Sequence, residues 1–283
     1  MNKKYQEILN VVNADIERVN ANLDFEINLQ PKLKKELKKF LTSPSKRIRS
    51  LVALLYLRAA KMYLLPNHYE ILAVTELLHN ASLIHDDVID ESKNRRNSKT
   101  ISEIFDNKLA VVAGDYLLSV ALGKLAKIND NRITEIFADA VQDMCKGEVT
   151  QYFNRFKVTD IDTYIEKSEQ KTAVLFEKTL KACVLFADED YAEKTCEFIT
   201  NFGLAFQIRD DLVNYLSKEK TDENDGIFNA PMILSKDKEE GVVKTKELLN
   251  NYIVCAKHCL NDLPESIYKE SLFKLLELFG NVW

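Results

Sequence analysis

The stretch Ile71–Asp90, ILAVTELLHNASLIHDDVID, is apolar on nearly every side as far as Ile84 and then ends in aspartates. Apolar residues recurring three and four apart describe a helix. One that is apolar nearly all round belongs inside a bundle rather than on its surface. The same design returns in Ala192–Val213, which carries Asp210-Asp211 near its end. Helical spacing also runs through Leu51–Tyr63, Leu109–Leu125, Ile133–Phe153 and Ala173–Phe186. Breaks fall at Ser43-Pro44-Ser45, Leu65-Pro66-Asn67, the polar stretch Glu91–Lys99, Asn129-Asp130-Asn131 and Lys218–Pro231.

The 7 glycines and 5 prolines among 283 residues are too few for the turns of a many-stranded sheet. No linker rich in Pro, Gly or Ser divides the chain. The expectation is therefore an all-α, single-domain bundle of about ten or more helices around a central cavity, spanning residues 1–283. A net charge of −5 gives no broad basic surface, which argues against nucleic acid as a partner. Cys145, Cys183, Cys196, Cys255 and Cys259 are odd in number and lack metal-motif spacing, so they read as reduced thiols. The charged, amphipathic start is no signal peptide, and no run approaches the roughly 18 apolar residues of a membrane span. A cytoplasmic protein is expected.

In Ile84-His85-Asp86-Asp87-Val88-Ile89-Asp90, Asp86 and Asp90 share one helical face with Asp87 beside them. Like charges at this spacing cost a few tenths of a kcal/mol per pair, and the helix dipole disfavours anions at a C-terminus. A divalent cation relieves both, and a hard-oxygen set suits Mg²⁺, which completes its octahedron with water and substrate phosphate. A solvated acidic helix end is the plainer reading. Asp210-Asp211 forms a weaker copy, with Asn214 where a third acid would stand. If the two helices run parallel, both clusters face one cavity mouth, where metal ions would bridge them to a diphosphate. Lys46, Arg47 and Arg49 open one helix and Arg95-Arg96 follow the first cluster. Guanidinium forks suit phosphate oxygens, although such residues on their own are mostly solvated surface. Glu76-Leu77-Leu78-His79 has the spacing of a di-iron ligand pair, but that chemistry needs the motif twice. His68, His85 and His258 have Leu65, Ser82 and Cys255 three places before them, so no second copy exists.

The string from Glu76 through Asp86-Asp87-Val88-Ile89-Asp90-Glu91, followed by Arg95-Arg96, resembles the trans-isoprenyl diphosphate (polyprenyl) synthase family. Further pieces follow in the family's order: Lys46-Arg47-Ile48-Arg49, Gly114-Asp115, Gly147-Glu148-Val149-Thr150-Gln151, Lys171-Thr172-Ala173 and Gly203–Asp211. The resemblance implies an isoprenoid synthase-like fold and a homodimer. It also implies head-to-tail condensation of isopentenyl diphosphate with a geranyl- or farnesyl-type allylic diphosphate. By position, Asp86, Asp87 and Asp90 match the first Mg²⁺-binding motif, and Asp210 and Asp211 a second, together serving a trio of ions. Arg95 matches a contact to the allylic diphosphate. Lys46, Arg49, His79 and Arg96 match the isopentenyl diphosphate site, and Lys171, Thr172 and Gln207 the lining of the reacting carbons and the leaving diphosphate. The implied reaction ionises the allylic diphosphate, the isopentenyl double bond attacks the cation, and a proton is then lost.

The sequence departs from the family pattern at Asn214, at Ser45 and Ser50 (usually glycine and proline), and in a short loop after Asn214. The family's loop lysine has only Lys218 and Lys220 as counterparts, which implies weaker binding of the third metal. Ala81 and Ser82, just before Asp86, are small, so this helix does not cap the channel beneath the metal. A medium or long product is expected, with Phe137 or Met144 as alternative floors. A non-catalytic partner subunit and a terpene cyclase are the competing readings. The intact first motif weighs against the former and the isopentenyl-site residues against the latter.

Overall fold

The computed structural model describes residues 3–187, 192–217 and 226–280, and they are overwhelmingly helical, as expected. In chain order the helices are α1 Lys3–Val11, α2 Asn13–Leu23, α3 Pro31–Thr42, α4 Ile48–Ala59, α5 Pro66–Ile89, α6 Ile101–Ile104, α7 Asn107–Ile128, α8 Asn131–Phe153 and α9 Ile161–Ser168. A π-helical segment, Glu169–Ala173, leads into α10 Val174–Ala187, followed by α11 Ala192–Leu216, α12 Ala230–Leu234, α13 Lys238–Cys259 and α14 Ile267–Gly280. Lys218, Lys220 and Asp222 lie outside the described residues.

Local chemistry fixes the helix ends. Asp106, Asp160 and Asp237 each accept a bond from the backbone N–H three residues on, at 2.7, 2.7 and 2.9 Å, satisfying an otherwise orphaned donor. Pro66 opens α5 at a position whose N–H has no helical partner, and the His68 ring accepts from the Leu65 N–H at 2.9 Å. Asn129 closes α7 in the left-handed conformation.

The chain falls into two compact units. One comprises Ala14–Leu51 and Leu65–Thr134. Its centre is α5, whose residues from His68 to Ala81 are all buried except Glu70 and His79. Along it lies α7, which contributes Ala110, Ala113, Gly114, Leu117, Ala121 and Leu125 as buried residues. Gly114 permits this closeness, because a Cβ there would meet the His85 ring at 2.2 Å. By length and composition α7 is apolar enough to cross a membrane, more so than the sequence reading allowed. The core helix of a globular protein passes the same test, and α7 packs on α5. Tyr69 on α5 donates to Asp15 of α2 at 2.7 Å and accepts from Arg18 at 3.1 Å.

The other unit comprises Met1–Asn13, Val52–Leu64 and Glu135–Trp283, of which the described residues pack around an aromatic cluster. Phe176, Phe202, Phe206 and Phe279 meet with ring centroids 5.0–5.9 Å apart, joining α10, α11 and α14. The buried Lys269 ammonium donates to the Asn261 and Leu263 carbonyls at 3.0 and 2.8 Å, fastening the α13–α14 connection.

Three local expectations need correction. The helix expected to reach Tyr63 ends at Ala59, because Lys61 turns left-handed (φ 58°) and the Met62 N–H reaches back to the Leu57 carbonyl at 2.9 Å, closing a Schellman motif. The polar stretch Glu91–Lys99 contains a two-stranded hairpin, β1 Asn94–Arg95 and β2 Ser98–Lys99. Its turn residues Arg96 and Asn97 both have positive φ, as a primed hairpin turn requires. The helical region before Val174 begins at Ile161 rather than Ala173.

Candidate active site

The last turn of α5 carries Asp86 and Asp87, and Asp90 is its C-cap. A second Schellman closure fixes this end: Glu91 is left-handed, and the Ser92 N–H donates to the Asp87 carbonyl at 2.9 Å. The chain is thereby turned straight into the hairpin that carries Arg95 and Arg96. Asp87 is 2% exposed, and its Oδ1 accepts from Arg95 Nε at 2.6 Å. Burial raises its pKa, and the Arg95 charge works against that rise. Asp86 and Asp90 are half-buried. The acids expected to converge are thus split into one buried, arginine-paired carboxylate and two on the α5 face that also bears His79.

Two turns before Asp86 on that face, a basic cluster surrounds His79. Burial lowers the His79 pKa well below its usual 6.5, and Arg49, Arg96, Arg95 and Arg47, in that order, press it lower. Arg49 is buried, Lys46 is exposed just outside α4, and the Arg96 guanidinium lies 5.7 Å from the Phe40 ring centroid. Arg47 donates to Glu76 Oε2 at 3.0 Å, and Ser50 donates to Glu76 Oε1 at 2.7 Å. Glu76, given no role of its own in the sequence analysis, is therefore the carboxylate that balances one guanidinium of the group.

The depressed His79 pKa has a measurable consequence. An imidazole kept neutral only in the fold contributes stability that is present above pH 6.5 and is lost as pH falls from there toward the lowered folded value. Denaturation midpoints should therefore drop below pH 6.5, with a slope of up to about 1.4 kcal/mol per pH unit from this residue, and His79→Gln should flatten that slope. Equal slopes for wild type and variant would show that burial and the neighbouring guanidiniums do not hold His79 neutral.

In the other unit, Asp210 and Asp211 lie within α11, which continues past Asn214 to Leu216. Asp210 is 44% exposed at its side chain and pairs with Arg209 at 2.9 Å. Asp211 is buried: Tyr164 donates to Oδ2 at 2.7 Å and Gln207 Nε2 to Oδ1 at 2.6 Å. Gln207 Oε1 in turn accepts from Thr172 at 2.7 Å, so Thr172, Gln207, Asp211 and Tyr164 form one chain. Burial raises the Asp211 pKa, opposed by Lys167 and by these donors. Lys171 pairs with Glu148. Sequence reading assigned no role to Tyr164 or Glu148, although Glu148 stood in a motif it quoted.

Among the described residues no group of three or more His, Cys, Asp or Glu is gathered closely enough to hold a metal unaided. Mg²⁺ takes one or two carboxylates and leaves the remaining positions to water and phosphate. Asp86 with Asp90, and the half-exposed Asp210, offer such oxygen donors.

Residues 30–269 match the family model for polyprenyl synthetase. The chain belongs to the polyprenyl synthetase family. Consistent with membership, it is 31% identical over 271 residues to a prenyl transferase of Synechocystis, covering 82% of this chain and 84% of that one. It is 29% identical to solanesyl diphosphate synthase 1 of Arabidopsis thaliana, covering 93% and 68% of the two chains. A decaprenyl diphosphate synthase from Rhodobacter capsulatus shares the polyprenyl synthase fold, with a TM-score of 0.88, 24% identity and 99% coverage of both chains. A polyprenyl synthase from Caulobacter crescentus, solved with calcium and isoprenyl diphosphate, gives a TM-score of 0.87 at 23% identity, covering 98% and 97%. The family and the relatives named here are those of prenyltransferases.

Proposed function

We propose that this chain is a Mg²⁺-dependent trans-polyprenyl diphosphate synthase that joins isopentenyl diphosphate to a geranyl- or farnesyl-type allylic diphosphate. One observation carries the proposal: a single face of α5 bears His79, which feels the charges of Arg49, Arg96, Arg95 and Arg47, and, seven residues on, Asp86 with Asp90. Seven residues are about 10.5 Å of helix axis, so a cationic anion pocket and an acidic metal-type pair stand side by side. A protein handling one phosphorylated ligand needs only one of these. Two diphosphates, one gripped directly and one through metal, use both.

On this reading Lys46, Arg49, His79 and Arg96 bind isopentenyl diphosphate, and Arg95 the allylic diphosphate. Asp86 and Asp90, with Asp87 braced by Arg95, hold Mg²⁺, and Asp210 and Asp211 serve a further metal position. Bound Mg²⁺ supplies Lewis acidity to the leaving diphosphate. Lys171 adds a positive charge for that group, and Thr172 and Gln207, bonded to each other, line the reacting carbons. The family match runs through both units, which supports their acting as one catalytic domain.

Relatives named for solanesyl and decaprenyl products support a medium or long chain here. Ala81 is buried on α5 five residues before Asp86, where a larger side chain would narrow the path of a growing prenyl tail. Ala81→Phe is expected to shorten the product by one or more isoprene units, read by mass spectrometry. An unchanged product distribution would refute that placement.

Val112 and Leu122, 55% and 54% exposed on α7, leave apolar surface that a second copy would cover, which supports a homodimer as the active form; the cytoplasm is its proposed location. A competing reading, an inactive partner subunit, draws on Asn214 in place of an acid. Incubating the pure protein with isopentenyl diphosphate, farnesyl diphosphate and Mg²⁺ separates the two. Diphosphate release with a lengthened prenyl product supports the synthase, whereas silence without a partner favours the subunit. A cyclic hydrocarbon made from farnesyl diphosphate alone would indicate a cyclase instead.

A further inference from the structure

Lys171 lies in the π-helical segment, where the Val174 N–H donates to the Glu169 carbonyl five residues back. A π turn accommodates an extra residue and swings its side chains out of ordinary helical register, an arrangement frequent at functional sites. Two glycines press on this turn. A Cβ at Gly147 of α8 would stand 2.7 Å from the Lys171 backbone nitrogen, and one at Gly203 of α11 would stand 2.8 Å from Ala173 Cα. Each glycine is accompanied by a side chain that grips the turn. Glu148, next to Gly147, pairs with Lys171, and Gln207, one helical turn beyond Gly203, accepts from Thr172.

We infer that Glu148 is a positioning residue that aims the Lys171 ammonium, and that Gly147 brings α8 close enough for it to do so. The inference rests on the reading of Lys171 as a group that serves prenyl transfer. A lysine ammonium is a point charge on a flexible stem with three donors, so its own geometry specifies no direction. Glu148 faces the ammonium as its ion-pair partner and thereby biases where the charge sits. Its Oε1 is steadied by Gln151 Nε2 at 3.5 Å. The side chains of Lys171 and Glu148 are 25% and 18% exposed, so the pair is largely enclosed but not cut off from a ligand.

The test compares kcat, KM and urea midpoints for wild type, Glu148→Gln, Lys171→Ala and the double variant, with isopentenyl diphosphate, farnesyl diphosphate and Mg²⁺. Glu148→Gln is expected to lower kcat about tenfold or more, with KM and the midpoint nearly unchanged, because it removes the negative charge that faces the ammonium without altering shape. If Glu148 acts through Lys171, the double variant is no slower than Lys171→Ala alone. Wild-type kcat in Glu148→Gln, losses that multiply in the double variant, or a loss matched by a fallen midpoint would overturn the inference. Wild-type turnover in Lys171→Ala would instead sink the role of Lys171 on which it rests, and the inference with it. Gly147→Ala is expected to reproduce the Glu148→Gln defect. A methyl there also displaces backbone, so the Glu148→Gln result decides.

Discussion

Replacing Asp86 with alanine is expected to lower turnover on the order of 10³-fold while the protein stays folded. Loss of a hard-oxygen ligand weakens the hold on an ion whose Lewis acidity is worth several kcal/mol in the transition state. The helix backbone does not depend on this carboxylate. Asp86 is half-buried in the last turn of α5, and its backbone carbonyl keeps its bond from the Asp90 N–H at 2.8 Å whatever the side chain. A negative charge near a helix C-terminus, four residues from another, is unfavourable by a few tenths of a kcal/mol, which offsets part of what the side chain's own contacts contribute. Turnover measured across a Mg²⁺ titration, beside a urea midpoint, separates the two effects. Undiminished turnover would remove Asp86 from the catalytic machinery, and a collapsed midpoint would give it a structural role.

His79 and the acids at the end of α5 were legible in the sequence because a helix buried on nearly all sides has few polar positions, and those it keeps stand out. Lys46, Arg49, His79, Arg95 and Arg96 could be chosen from their spacing and family resemblance. Geometry set by residues distant in sequence was hidden. The π turn at Glu169–Ala173 carries ordinary helix-forming residues, and what surrounds it, the bare backbone of Gly147 and Gly203, comes from two other helices. The left-handed residues Lys61, Glu91 and Arg96 are not glycines, so nothing in their identity announced a helix stop or a hairpin turn. Asp87 looked like a third ligand equal to its neighbours, since its pairing with Arg95 depends on that unannounced hairpin. Tyr164 reaches Asp211 across 47 residues of sequence, a distance over which no local pattern carries information.

Glu76→Ala should produce the largest stability loss among these changes, about 3–5 kcal/mol, because it leaves a buried guanidinium uncompensated. The Glu76 side chain is 4% exposed and that of Arg47 13%, so water replaces little of what the carboxylate provides. Ser50 would lose its acceptor as well. Arg47 would retain a bond to the Leu41 carbonyl at 3.3 Å, while its charge lies near that of Arg96 and its backbone stays in the left-handed region. The double variant Arg47→Met/Glu76→Leu separates charge from packing: if the loss is electrostatic, it recovers most of the stability, as buried pairs replaced by apolar residues often do. The functional link can be tested with inorganic pyrophosphate. An anion seated among the guanidiniums supplies part of the missing charge and stabilises by mass action, so it should raise the urea midpoint of Glu76→Ala more than that of wild type. An equal shift in both proteins would mean that Glu76 and the diphosphate do not address the same arginines. A variant as stable as wild type would mean that the pair is worth no more than a surface ion pair, about 0–1 kcal/mol.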